Sequence, residues 1–213
     1  MLNSLHGGDI WKHLKDARAK LIDFSANVNP LGSPACVVKT IHAKIKTLIY
    51  YPEPNAQSLQ KKLVQCHKIT QQNIALGNGS IELIYLIPRA LAVKNVLIVV
   101  PTFSEYEFAS RACGLNPIFF SLSAKEKFAV DLTVLINLLP NADLLFICNP
   151  NNPTGRLWTK RELSVLLAAC KKHNTVLVID EAFIDFSQDT GGCSLIDKVK
   201  TTDNLIVIRS LTK

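Results

Sequence analysis

The sequence contains no C-x-x-C pair, no unbroken apolar run of membrane length, and no basic stretch interleaved with aromatics. Its six cysteines (36, 66, 113, 148, 170 and 193) stand singly, most of them inside apolar patterns where a free thiol behaves as a small hydrophobe. That spacing argues against a disulfide framework and suits a reducing, cytoplasmic setting. The most apolar region, Ile81 to Val100, is interrupted by Glu82, Pro88, Arg89 and Lys94. It is expected to be a buried helix followed by a buried strand, with no membrane span. Met1 to Leu14 lacks an apolar h-region, so no secretory leader is expected. Aromatics are sparse at 7%, and the net charge of +7 comes from lysines spread along helical patterns, such as Lys61, Lys62, Lys171 and Lys172. Such a balance suits phosphate-bearing ligands, and no nucleic-acid partner is expected. No G-x-x-x-x-G-K-[ST] occurs, which excludes a P-loop nucleotide site, and Glu82 stands where a dinucleotide fingerprint needs its third glycine.

The 213 residues are 48% hydrophobic, enough for a sizeable core. Short apolar strand patterns fall at Ile74–Gly77, Val96–Val100, Pro117–Leu122, Leu144–Cys148, Val176–Ile179 and Leu205–Ile208. Helical patterns separate them at Ser80–Ala92, Glu105–Cys113, Asp131–Leu139 and Thr159–His173. This alternation predicts an α/β fold with a mainly parallel sheet covered on both faces. Asp131 and Thr159 are expected N-caps, the second completed as a capping box by Glu162. Before residue 75, helical stretches at Pro34–Ile49 and Ala56–His67 flank a turn at Tyr51-Pro52-Glu53-Pro54.

Four clusters fall where strands hand over to helices, the place where such sheets bind ligands. Gly77-Asn78-Gly79-Ser80 opens a helix, where free N–H groups favour a phosphate, although glycine is also common there for steric reasons. Asn149-Pro150-Asn151-Asn152-Pro153-Thr154-Gly155 is a rigid turn carrying three asparagines. Asp180-Glu181 ends a buried strand, where a carboxylate can form a structural ion pair or face the protonated ring nitrogen of a cofactor. Arg209-Ser210-Leu211-Thr212-Lys213 follows the last strand; its lysine is either a solvated end or a Schiff-base lysine beside a phosphate.

Taken together and in this order, the clusters resemble fold-type-I pyridoxal-phosphate (PLP) enzymes, the class I and II aminotransferases with the aspartate-aminotransferase fold. Within them, His6-Gly7-Gly8, Asp23-Phe24-Ser25-Ala26-Asn27-Val28-Asn29-Pro30-Leu31-Gly32, Tyr51-Pro52-Glu53-Pro54, Gly77-Asn78-Gly79, Pro101-Thr102-Phe103-Ser104-Glu105-Tyr106 and Asp180-Glu181-Ala182-Phe183-Ile184-Asp185-Phe186 resemble the threonine-phosphate decarboxylase branch, near histidinol-phosphate aminotransferase. The resemblance implies that Lys213 would carry PLP as a Schiff base and Asp180 would pair with the ring nitrogen. Asn152 would reach the phenolic oxygen and Phe103 would stack on the ring. Gly79, Ser80, Ser210 and Thr212 would bind the cofactor phosphate, with Tyr51 reaching it across a homodimer. His6, Gly8 and Asn29 would lie on the substrate side, near the substrate phosphate. No metal is implied. Residues 1–50 would form an arm belonging partly to a small domain, and residues 51–213 an incomplete PLP-binding domain.

The implied reaction is decarboxylation of L-threonine O-3-phosphate to (R)-1-amino-2-propanol O-2-phosphate, in cobalamin biosynthesis. The aminotransferases usually place tyrosine after D-E-A; Phe183 has no hydroxyl to offer. Members of the family continue beyond this lysine and supply two further arginines there, so the chain as it stands is expected to have little or no activity. A histidinol-phosphate-type aminotransferase and a non-catalytic fragment remain open as alternatives.

Overall fold

The computed structural model describes residues 7, 8, 10, 22–188 and 192–212. They divide into two compact units, one ending at Pro52 and the other running Glu53–Thr212.

The first unit holds α1 (Ala35–Lys44), continued by a 3₁₀ segment, Ile45–Ile49; no residue of either is buried. Ahead of α1, two sequence motifs are knit together. The Gly8 N–H donates to Ser25 Oγ at 2.8 Å, and that hydroxyl donates to Asp23 Oδ1 at 2.6 Å. A Cβ on Gly7 would stand 1.6 Å from the Ser25 carbonyl oxygen, so only glycine permits this approach. The hydrogen bonds from Ser25 lower the pKa of Asp23.

The second unit begins with α2 (Gln57–His67) and α3 (Gly79–Ala90), then alternates strand and helix. The strands are β1 (Asn95–Val100), β2 (Asn116–Ser121), β3 (Leu144–Cys148), β4 (Val176–Asp180) and β5 (Leu205–Ile208). The helices between them are α4 (Glu105–Ala112), α5 (Leu132–Ile136) and α6 (Lys160–Lys172). All pairings are parallel, in the order β2-β1-β3-β4-β5.

Side chains alternate across the strands and feed two cores. Leu97, Leu145, Leu177 and Leu205 face α5 and α6, with Leu135, Trp158, Leu163 and Leu166. Val96, Ile98, Phe146, Val178 and Ile208 face α3 and α4, with Ile84, Tyr106 and Ala109. The central strands β1, β3 and β4 are thus buried on both sides, which is why they read as continuous apolar runs, whereas edge strand β2 has no buried residue. Asp131 caps α5 by accepting from the Thr133 and Val134 amides, and Thr159 and Glu162 form the capping box of α6.

Two expectations need correction. Ile74–Gly77 is not a strand; it is an irregular lead-in to α3, because an apolar run becomes a strand only beside a partner and none pairs with it among the described residues. The helix expected over Asp131–Leu139 stops at Ile136, where Leu139-Pro140-Asn141 turns as 3₁₀ helix. Cys36 and Cys66 also prove exposed on their helices.

Candidate active site

The order of the sheet places its switch point between β1 and β3, since the chain leaves β1 toward β2 on one side and β3 pairs on the other. The loops after these two strands meet there. Thr102 Oγ1 donates to Asn151 Oδ1 at 2.8 Å, and Asn151 Nδ2 donates to the Pro101 carbonyl at 2.9 Å and to Thr154 Oγ1 at 2.8 Å. Asn149 is equally committed: Nδ2 donates to the Cys193 carbonyl at 2.6 Å and Oδ1 accepts from the Trp158 amide at 2.9 Å. Two of the three loop asparagines therefore hold the loop together. Asn152 is half-buried, and its side-chain amide has no hydrogen-bond partner among the described residues. It is the asparagine of the run left able to bind a ligand.

Asp180 ends β4 at 3% exposure, on the face of the sheet that carries Tyr106 and Phe146. Its Oδ2 accepts from the Tyr106 hydroxyl at 2.8 Å and its Oδ1 from the Ala182 amide at 3.0 Å. Tyr106 is fully buried; its ring stacks on Phe146 at 4.9 Å between centroids, and Phe103 meets it edge-on at 5.8 Å. Burial, reinforced by Cys148 and Asp180, pushes the Tyr106 hydroxyl well above its ordinary range, so it stays a donor. Cys148, at the end of β3, is held up to about 12, by burial first and then by the Asp180 charge. Asp180 is thus a buried carboxylate oriented by a neutral donor, at the carboxyl end of a central strand.

Glu181 is also buried, and its Oε2 accepts from Arg209 Nε at 2.7 Å and from the Ser194 hydroxyl at 2.9 Å. Burial raises its pKa, and Arg209 opposes that shift. Beyond Arg209, the Ser210 and Thr212 hydroxyls lie 3.0 Å apart. At the opening of α3, Gly79 has φ +80°, a conformation glycine adopts without strain. Ser80 is half-buried beside it. Tyr85 of α3 donates to Glu105 of α4 at 2.7 Å, which steadies the two helices on this face.

Of the residues expected in the site, Gly79, Ser80, Phe103, Asn152, Asp180, Ser210 and Thr212 belong to the second unit; Asp180 is the last residue of β4, and the others lie in strand-end loops or the first turn of a helix. Gly8, Asn29 and Tyr51 belong to the first. There Asn29 Oδ1 accepts from the Leu31 amide at 2.9 Å, closing a turn, and the Tyr51 side chain is 99% exposed. His6 and Lys213 lie outside the described residues. Sequence reasoning missed Tyr106 and Arg209. Tyr106 is three residues from Phe103 but 74 from Asp180, and only folding reveals that contact. Among the described residues, no group of His, Cys, Asp and Glu could hold a metal ion, and no helix is long and apolar enough to cross a membrane.

A parallel sheet covered by helices on both faces, with a buried carboxylate and an unspent amide at its carboxyl edge, defines the large domain of the PLP-dependent aminotransferase fold. The model of the family "Aminotransferase class I and II" matches residues 19–213, and the chain belongs to that family. It is 35% identical to the threonine-phosphate decarboxylase of Salmonella typhimurium, over 100% of this chain and 59% of that protein. It is 32% identical to a histidinol-phosphate aminotransferase of Thermoanaerobacter, over 88% of this chain and 53% of that one. Among solved structures, the histidinol-phosphate aminotransferase of Clostridium acetobutylicum matches with a TM-score of 0.80 at 34% identity, over 91% of this chain and 56% of its own. The L-threonine-O-3-phosphate decarboxylase of Porphyromonas gingivalis matches with 0.71 at 27% identity, over 84% and 54%. The chain thus spans between half and three-fifths of the length of these relatives. The cofactor of the family is pyridoxal 5'-phosphate, and the donor set fits it: a buried carboxylate for a ring nitrogen, a free amide for a ring oxygen, and a helix opening for a phosphate.

Proposed function

We propose that this chain carries the cofactor-binding part of a PLP-dependent decarboxylase of L-threonine O-3-phosphate. The observation that carries the reading is the Asp180–Tyr106 pair beneath a loop in which Asn152 alone of three asparagines keeps its amide unspent. When bound, PLP supplies an electron sink for a bond broken at the substrate Cα. Asp180 would hold the proton on the ring nitrogen, its carboxylate kept in place by the Tyr106 hydroxyl. Asn152 would donate to the ring's phenolic oxygen, and Phe103, braced edge-on by Tyr106, would cover a ring face. The α3 opening at Gly79 and Ser80, with the Ser210 and Thr212 hydroxyls, would hold the phosphate. Lys213 would carry the cofactor covalently. Tyr51 would reach the phosphate of a second copy, and His6, Gly8 and Asn29 would serve the substrate phosphate.

Decarboxylation is favoured over transamination by Phe183, which has no hydroxyl to place near the ring, and by the likeness to the Salmonella decarboxylase. The closer superposition on an aminotransferase structure supports the second reading, transamination of a phosphorylated substrate. The first test is incubation with PLP, borohydride reduction, intact mass and peptide mapping. One adduct at Lys213 is expected; none, or adducts scattered over surface lysines, would refute cofactor binding. Release of CO₂ from L-threonine O-3-phosphate, against amino transfer to a keto acid, then separates the two reactions.

A further inference from the structure

Glu181 and Arg209 have no part in the roles assigned above, yet they occupy the joint between two elements that do. Glu181 follows Asp180 directly, and Arg209 precedes Ser210 directly. The Glu181 side chain is fully buried and that of Arg209 is 22% exposed; their Nε–Oε2 separation is 2.7 Å. Ser194 closes a triangle, donating to Glu181 Oε2 at 2.9 Å and standing 3.4 Å from Arg209 Nη2. Asp185 adds an exposed second carboxylate at 3.3 Å from Nη1. The backbones are tied at the same level, because the Glu181 N–H donates to the Ile208 carbonyl at 2.8 Å.

A guanidinium is suited to this joint. It presents several donors in a fixed plane, so it can satisfy Glu181, Ser194 and Asp185 at once and hold the backbone that carries it. A surface ion pair would do little, but this one is shielded, and its carboxylate lies in the core. Past Arg209, the described chain has no further strand or helix, and Leu211 and Thr212 are exposed. Among the described residues, the side chain of Arg209 is therefore the half-buried anchor immediately ahead of Ser210–Thr212.

We propose that Arg209, gripped by Glu181 and Ser194, is a positioning residue that fixes residues 210–212 relative to Asp180, and so sets the spacing between the hydroxyls offered to the cofactor's phosphate at one end and its ring-nitrogen partner at the other. The inference rests on the PLP reading of the site.

The test uses the full chain and three variants, Arg209→Met, Arg209→Lys and Glu181→Gln, with Asp197→Asn as a control in an exposed ion pair of the same unit. Amide hydrogen exchange of the peptide spanning 205–213 is measured without cofactor, and PLP affinity is measured by fluorescence titration. In Arg209→Met and Glu181→Gln, exchange of residues 210–212 is expected to accelerate and PLP affinity to fall by about tenfold, the size expected when a charge-assisted hydrogen bond is lost. Arg209→Lys is expected to recover part of both, and Asp197→Asn to change neither. Unchanged exchange in the two variants overturns the proposal, as does accelerated exchange with PLP affinity intact. If Arg209→Met does not fold, Glu181→Gln and Arg209→Lys decide by the same criteria. If the unmodified chain binds no PLP, the cofactor reading fails separately, and exchange alone decides whether the clamp holds the segment.

Discussion

Single side chains at this site separate into those already bonded and those left available. Tyr106 is of the first kind, and its hydroxyl is one of the donors that orient Asp180. Tyr106→Phe keeps the ring stacked on Phe146 and removes that donor; we expect a loss of about 1–3 kcal/mol in stability from urea unfolding. PLP binding should weaken as well; unaltered stability and affinity would contradict the role given to the hydroxyl. The thiols make a second prediction. Burial lifts Cys148 and Cys170 to about 12. With a chromogenic disulfide reagent at neutral pH, the exposed Cys36 and Cys66 should react quickly, and Cys148 and Cys170 only after denaturation. Residue roles were the least legible level in the sequence. Three asparagines in one turn look alike until folding shows that Asn149 and Asn151 are spent on Trp158, Cys193, Thr102 and Pro101.

Elements were far more legible, because their signals are local. Leu144–Cys148 and Leu205–Ile208 are strands with the bounds that their apolar runs suggested, and Thr159 caps α6 as its spacing to Glu162 implied. Ile74–Gly77 misled for the complementary reason: pairing is a long-range property, and no local pattern contains it. The capping box gives a test at this scale. Thr159→Ala should cost about 1 kcal/mol in urea unfolding, and an unchanged midpoint would mean that α6 does not depend on its cap. Asp143 gives another, since its Oδ2 accepts from both the Lys94 and Asn95 amides at 2.9 Å and so ties the start of β1 to β3. Those bonds, the Asn95 amide first, lower its pKa from the ordinary carboxylate value. A carboxyl depressed in the folded state adds stability above its unfolded pKa, and that increment is lost as pH falls through the folded value. Acidification from about pH 6 to about pH 3 should therefore destabilise the unmodified chain more than Asp143→Asn. Equal losses would show that Asp143 contributes no pH dependence.

For the whole molecule, alternation of strand and helix was enough to foresee a parallel sheet with helices on both faces, while strand order and the switch point between β1 and β3 emerged only on assembly. Five buried residues in β3 and none in α1 imply very different protection from solvent. Hydrogen exchange should be slowest at Leu144–Cys148 and fast throughout Ala35–Lys44; comparable rates in the two would contradict this burial. In sedimentation with PLP we expect a dimer, in keeping with the role proposed for Tyr51.

Cys148 has a consequence for chemical selectivity. Sulfur attacks carbonyls and disulfides mainly as the thiolate, so a thiol buried beside a carboxylate is a poor nucleophile. With its pKa pushed up to about 12, chiefly by burial, Cys148 stays a thiol at neutral pH. The Asp180 charge that would keep a ring nitrogen protonated also helps to keep this sulfur inert. One carboxylate would thus serve the ring nitrogen of the proposed cofactor and, by the same charge, disfavour ionisation of the neighbouring sulfur.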